Sequence, residues 1–166
     1  MATALFIKPI DLKRNSIVDG SVDVDKFLGF IKLSQEIHIR NYLGTDLYND
    51  LQTKIIGDTL TTADTTLINT YIQPMLIHFA MVDYLPFASY QVKNGGVFKH
   101  TSENSESVSK EELDYLIAKH RNFAEYYTRR FIDFMTFNQS TYPKYNSNTN
   151  DDIPPDKDSL FNGWQL

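Results

Sequence analysis

Apolar positions along most of this chain recur at helical spacing. From Asp23, a favourable N-cap with Asp25 in the first turn, Phe27, Ile31, Ser34, His38 and Tyr42 run down one stripe. Phe30, Leu33 and Ile37 follow the adjoining one, and Val22 with Phe27 has the spacing of a hydrophobic staple. Leu43-Gly44 ends this helix, glycine being the usual residue just past a helix end. Thr45 then caps a short second helix carrying Leu47, Tyr48, Leu51 and Ile55, which Gly57 closes. A third begins near Thr61, with Asp64 three residues on, and presents Leu67, Ile68, Tyr71 and Ile72. Pro74 lacks an amide donor and is expected to kink or restart it. From Met75 to about Tyr84 the chain is apolar nearly all round, the pattern of a central core helix, and Pro86 ends or kinks it again.

The clearest element comes last. Ser109 and Glu112 form a capping box, stapled by Val108 and Leu113. Leu113, Leu116, Ile117, His120, Phe123, Ala124, Tyr127, Phe131 and Phe134 mark one face out to about Phe137, roughly 43 Å of helix. Lys110, Asp114, Arg121, Glu125, Arg129 and Asp133 make a ladder of alternating sign, read as a solvated face because exposed pairs contribute little. Tyr115, Tyr126 and Phe137 recur every 11 residues and stay on one side. That line gives the helix more apolar circumference than a two-layer monomer needs. It predicts a second partner.

The remaining segments lack helical period. Leu5-Phe6-Ile7, stopped by Pro9, and turn signals at Asn15-Ser16 and Asp19-Gly20-Ser21 form an N-terminal arm over residues 1–21. Asn94-Gly95-Gly96 between Ser89–Lys93 and Val97–His100 predicts a β-hairpin near residues 89–101. Alone it is marginal, so it either finds a partner surface or is a mobile loop. Residues 101–107 are a polar linker. From residue 138 onward Asn, Ser, Thr, Pro and Asp dominate, and the segment is expected to be disordered or extended. It holds Phe161 and Trp164, anchors that dock either on a neighbour or on the chain's own body. The expected fold is all-α: a bundle of about four to five helices in residues 22–137, carrying the hairpin, with extended arms at 1–21 and 138–166.

Composition narrows the function. The 166 residues fit one domain, and 42% hydrophobic with 22% charged residues is ordinary for a globular protein. The longest nearly apolar run, Met75 to Val82, is far short of the ~20 residues that cross a bilayer. The first residues lack the basic start and long apolar stretch of a signal peptide. With no cysteine there is no disulfide frame, thiolate nucleophile or cysteine zinc site, and a reducing cytoplasm is the simplest home. A net charge of −5 argues against a protein built to grip nucleic acid. Aromatic residues reach 13%, a hint of partners.

Reactive constellations are sparse. No two of His38, His78, His100 and His120 have the spacing of a helical metal site, and three of them fall on or beside apolar faces. They read as core or boundary histidines. Asp23/Asp25 and Glu111/Glu112 sit in first helical turns, where capping and the helix dipole account for them. Asp83, inside the most apolar helix, is either a catalytic carboxylate or the structural partner of a hydroxyl or basic side chain; the second is the better reading. No phosphate-binding glycine loop and no Gly-x-Ser-x-Gly is present. No catalytic, cofactor-binding or metal-binding residues are assigned. A small enzyme or accessory factor would have to use Asp83 with His78 or His120 in a shared cleft. A DNA-binding module is disfavoured, because Glu125 and Asp133 interrupt Lys119, Arg121, Arg129 and Arg130.

Several stretches resemble the head–tail connector proteins of tailed bacteriophages, most closely the ring (adaptor) proteins of crAss-like phages and related Bacteroidota prophages. They are Asp11-Leu12-Lys13-Arg14-Asn15-Ser16, Gly20-Ser21-Val22-Asp23-Val24-Asp25, Tyr42-Leu43-Gly44-Thr45-Asp46-Leu47-Tyr48, Tyr71-Ile72-Gln73-Pro74 and Leu85-Pro86-Phe87. Asn94-Gly95-Gly96-Val97 with Ser102-Glu103-Asn104-Ser105, and Arg121-Asn122-Phe123-Ala124-Glu125-Tyr126-Tyr127, continue the likeness. It spans about residues 7–137 and leaves the tail uncovered. The resemblance implies a virion protein that forms a ring of twelve copies under the portal, at the neck between capsid and tail, after assembly in the host cytoplasm. Such a ring joins capsid to tail and extends a channel through which DNA passes without specific binding. Its partners would be itself, the portal and further tail or ring proteins, with no membrane and no cofactor. A stopper or tail-completion role remains the alternative within virion proteins. No functional residues transfer, because the role depends on surfaces. Inter-subunit or portal contacts are therefore assigned from the chain's own pattern: Asn94, Gly95, Val97, Phe98, Tyr115, Tyr126, Phe137, Phe161 and Trp164.

Overall fold

The computed structural model describes residues 3–18, 22–88, 90–93, 96–99, 108–147 and 152–158. The turn at residues 19–21, the hairpin tip Asn94-Gly95, the linker at 101–107 and the anchors Phe161 and Trp164 lie outside them. The fold is all-α with one small hairpin. Its elements are α1 (Pro9–Arg14), α2 (Val24–Ser34), α3 (Arg40–Ile56), α4 (Thr62–Thr66), α5 (Gln73–Tyr84), β1 (Tyr90–Lys93), β2 (Gly96–Lys99), α6 (Lys110–Phe137) and α7 (Pro143–Ser147).

Start signals act as their chemistry requires. Asp23 accepts the Asp25 amide at the head of α2, and capping boxes at Thr61/Asp64 and Ser109/Glu112 open α4 and α6. Two π turns join helices end to end. Gln35–Ile39 carries α2 into α3, and Leu67–Ile72 carries α4 into α5. The α-helix restarts at Pro74 as expected, with the proline in the first turn of α5. It follows a wide turn whose looser hydrogen bonding accommodates a residue without an amide donor. A 3-10 turn at Leu85–Phe87 ends the run at Pro86.

The central position expected for the Met75–Tyr84 helix is the observed one. Phe79 and Asp83 of α5 meet His38 on the α2 side, while His78 meets His120, Phe123 and Tyr127 of α6 on the other. Met75, Leu76, Ile77, Ala80 and Met81 are buried between. Strands β1 and β2 pair antiparallel, Tyr90 opposite Lys99 and Lys93 opposite Gly96.

Both arms are extended in part, as expected, but each also forms a short helix and is held by the body. The N-terminal arm continues into α1, started by Pro9 and by Asp11, whose carboxylate accepts the Lys8 amide at 2.9 Å. Ahead of it, three glutamines grip the extended backbone. Ala4 N–H donates to Gln52 Oε1 at 2.6 Å, and Ala4 C=O accepts from Gln35 and Gln52 at 2.9 and 2.8 Å. Phe6 N–H donates to Gln35 at 2.9 Å, and Phe6 C=O accepts from Gln73 at 3.0 Å. The amides thus stand in for a neighbouring strand while Phe6 and Ile7 sink into the core.

The expected structureless tail supplies α7, whose Tyr145, with the neighbouring Tyr142, is buried, and then a strap over residues 152–158. The strap fills a break in α3. Gly44 has φ +72° and ψ +158°, which splits α3 after Leu43 and orphans backbone groups on both sides. The Asp156 amide donates to the Asn41 carbonyl at 2.9 Å, and the Thr45 amide donates to the Ile153 carbonyl at 2.9 Å. Sequence spacing makes Thr45 the cap of the following turn; its hydroxyl instead accepts the Ile153 amide at 3.2 Å. Arg40 and Asp152 pair at 2.6 Å beside it.

Candidate interaction surface

Helix α6 buries His120, Ala124, Thr128, Phe131, Ile132 and Met135 at helical spacing, His120 meeting His78 of α5 and Phe131 meeting Tyr145 of α7. The 11-residue line lies on its far side. Tyr115, Tyr126 and Phe137 are 61%, 59% and 87% exposed, so no packing among the described residues buries them. Cations border the line. Lys119 Nζ lies 5.3 Å from the Tyr115 ring centre, and the Arg130 guanidinium lies 6.0, 5.9 and 5.7 Å from Tyr126, Tyr127 and Tyr71. Tyr71 stacks on Phe134 at 4.1 Å. Together Tyr71, Arg130, Asp133, Phe134, Phe137 and Asn138 line an open groove of about 320 Å³. Flat aromatic rings with a held guanidinium form a surface suited to another protein.

A second uncovered face lies across the molecule. Leu33 and Ile37, which sequence spacing places beside the core stripe, are 46% and 54% exposed. The π turn begins between them and draws Gln35 inward, leaving the two aliphatic side chains outside. Pattern alone could not separate them from Phe30, which packs on Tyr84 and Phe87. Of the other expected contact residues, Val97 and Phe98 lie in β2, in the register given above. Asn94, Gly95, Phe161 and Trp164 are outside the described residues.

Titratable groups are arranged for structure. Ser34 donates to Asp83 Oδ2 at 2.5 Å. His38 Nε2 lies 3.3 Å from the same oxygen, off the line of a hydrogen bond, with its ring stacked on Phe79 at 4.1 Å. Asp83 thus takes the hydroxyl partner expected of it. In a hydrolytic triad the histidine would stand between hydroxyl and carboxylate; here both groups address the carboxylate. His78 and His120, the partners an Asp83-based enzyme would need, instead face each other with Nδ1 atoms 3.1 Å apart. Burial, then the His120 ring, lowers the His78 pKa to about 4, and burial lowers His120. Both are neutral at pH 7, one ring nitrogen donating to the other. Among the described residues no three His, Asp, Glu or Cys side chains gather to hold a metal ion, and no helix is long and apolar enough to cross a membrane.

A charge network ties the second half of α3 to α4 and α7. Lys54 contacts Asp50 at 2.8 Å and Asp64 at 3.0 Å, and Lys144 contacts Asp50. Burial pushes both carboxyls up, but hydrogen bonds reverse it: those from Lys144 and Lys54 hold Asp50 low, and those from Thr61 and Lys54 hold Asp64 low.

Comparison with known proteins gives one match. No curated protein and no solved structure matches the chain. A family pattern does match over residues 39–154, from the end of the first π turn into the strap, so Gly44, Thr45 and Ile153 fall inside it while Pro155 and Asp156 lie just beyond. The chain belongs to that family, described as a family of unknown function (DUF6712).

Proposed function

We propose that this protein is a structural subunit of a phage virion: it forms a ring under the portal, joins capsid to tail and extends the DNA channel. The observation that carries the reading is the uncovered line Tyr115, Tyr126 and Phe137 on a helix whose core face is already filled. A ring subunit presents two different faces to its neighbours. The uncovered Leu33–Ile37 face beyond α5 supplies the second. The sequence resemblance to connector proteins adds the location at the virion neck, a ring of twelve and the portal and tail proteins as partners. A net charge of −5 suits a conduit that lets DNA slide without gripping it. The ring, a stopper and a tail-completion role share this geometry and differ in where the subunit binds.

Native mass spectrometry with negative-stain imaging, over a range of protein concentrations and with portal protein added, tests the reading. Closed rings of about twelve copies that bind portal are the expected result. A species that stays monomeric at every concentration and ignores the portal overturns it. Rings that bind only the distal end of a tail would assign the tail-completion role.

A further inference from the structure

We infer that the two uncovered faces are each other's partners: the aromatic face of α6 on one copy docks on the Leu33–Ile37 face of the next. The inference rests on the ring reading and names the surfaces that would build it. Within one copy the faces cannot meet, because α5 lies between the helices that carry them. Between copies they are complementary in charge as well as in apolar character.

On α6, from Lys119 to Phe137, the outer face carries Lys119, Arg129 and Arg130 against Asp133. Glu111 and Glu112 lie beyond Tyr115 at the amino end. Around Ile37 the balance is reversed. Glu36 at 3.2 Å and Asp152 at 2.6 Å engage Arg40, and the strap's Asp156, next in sequence to Lys157, accepts from the Asn41 side chain. Lys26 and Lys32 flank Leu33 toward the start of α2. The cationic stretch of the aromatic face, Lys119 to Arg130, therefore meets the acidic Ile37 end of the aliphatic face, while Glu111 and Glu112 meet Lys26 and Lys32, an orientation that fixes register. Because the faces differ, the contact is heterologous and propagates from copy to copy until it closes.

Two double variants of the full chain test this. Leu33→Glu/Ile37→Glu disables one face, and Tyr126→Glu/Phe137→Glu the other; all four side chains are exposed, and circular dichroism checks that each variant keeps its helices. Each variant alone is expected to be monomeric under conditions where the wild type assembles. Mixed at equal concentration they should form a 1:1 dimer, double the monomer mass, and nothing larger, because only one intact pair of faces remains. If the wild type assembles but the mixture stays monomeric, or either variant still forms rings, the pairing is wrong and the ring stands. If the first variant forms homodimers and the second does not, α6 pairs with itself and the pairing is equally overturned. A wild type that never assembles sinks the ring reading and this inference together.

Discussion

Gly44 holds φ +72° and ψ +158°, a region open essentially only to glycine. A Cβ built on it would lie 2.7 Å from Pro155 Cδ and 2.9 Å from Pro155 N. Gly44→Ala therefore meets both strain and a clash, and is expected to cost about 1–3 kcal/mol in urea unfolding. It should also free the Thr45 amide to exchange with solvent. Gly29, exposed in α2 with nothing within 4 Å of its would-be Cβ, gives the opposite sign. Gly29→Ala should stabilise by roughly 0.5–1 kcal/mol in the same assay. Sequence could mark Gly44 as a helix end, but its real constraint comes from Pro155, too distant in the chain for any local pattern to reveal.

The His78–His120 pair makes a pH prediction at the same scale. Both pKa values are lowered in the fold, His78 to about 4, so below about 6.5 the unfolded chain binds protons that the folded one refuses. Stability is complete above that pH and falls as pH drops toward 4. The urea midpoint should decline between pH 7 and 4.5, and less steeply in His78→Phe, which keeps an aromatic ring against Tyr127. The slope is bounded by ~1.4 kcal/mol per pH unit for each of the two histidines that the unfolded chain protonates and the folded chain does not. Lower still, Asp50 and Asp64 add their share. Their pKa values are depressed in the fold, so their contribution holds above the usual carboxylate value and is lost as they protonate.

Among elements, α6 divides at His120. Before it no residue is fully buried; Leu113, Leu116 and Ile117 pack on the core only in part, and the Ser109–Glu112 box supplements them. Ser109→Ala is expected to cost about 1 kcal/mol. Its effect on amide exchange should be confined to the turns before His120, an outcome that segment-resolved hydrogen exchange reads directly. The long helices were legible because capping boxes and periodicity agree, as at Ser109 and Thr61. Elements α1 and α7 were not: each is too short to show a period, and what holds them is burial of Leu12 and Tyr145 by distant residues. The π turns escaped for a related reason. A one-residue widening leaves the apolar spacing almost intact, yet it turns Gln35 inward toward Ala4 and Phe6.

For the whole molecule, half of the candidate surface could be read in advance. The spacing of Tyr115, Tyr126 and Phe137 set them apart from a face already supplied with core residues, and they are uncovered. Leu33 and Ile37 could not be separated from true core positions, because exposure there depends on how α5 packs. Nor could local pattern foresee that both arms would fasten to the same stretch of chain. Gln35, Tyr48 and Gln52 lie along the N-terminal arm, and Arg40, Asn41 and Thr45 receive the strap.

The strap also sets an order in time. Its bond from Ile153 to Thr45 spans 108 residues, and that from Asn41 to Asp156 spans 115. Contacts so remote in sequence carry the largest closure entropy and form after the local helices. During synthesis, too, the helices of the body are complete before residues 152–158 exist. Every newly made molecule therefore passes through an interval in which its helices stand but the break at Gly44 is unfilled, with the Asn41 carbonyl and Thr45 amide still bound to water. In pulsed hydrogen exchange during refolding, the Thr45 amide should gain protection later than the amides of α5. Simultaneous protection would mean that the strap takes part in building the body rather than closing it.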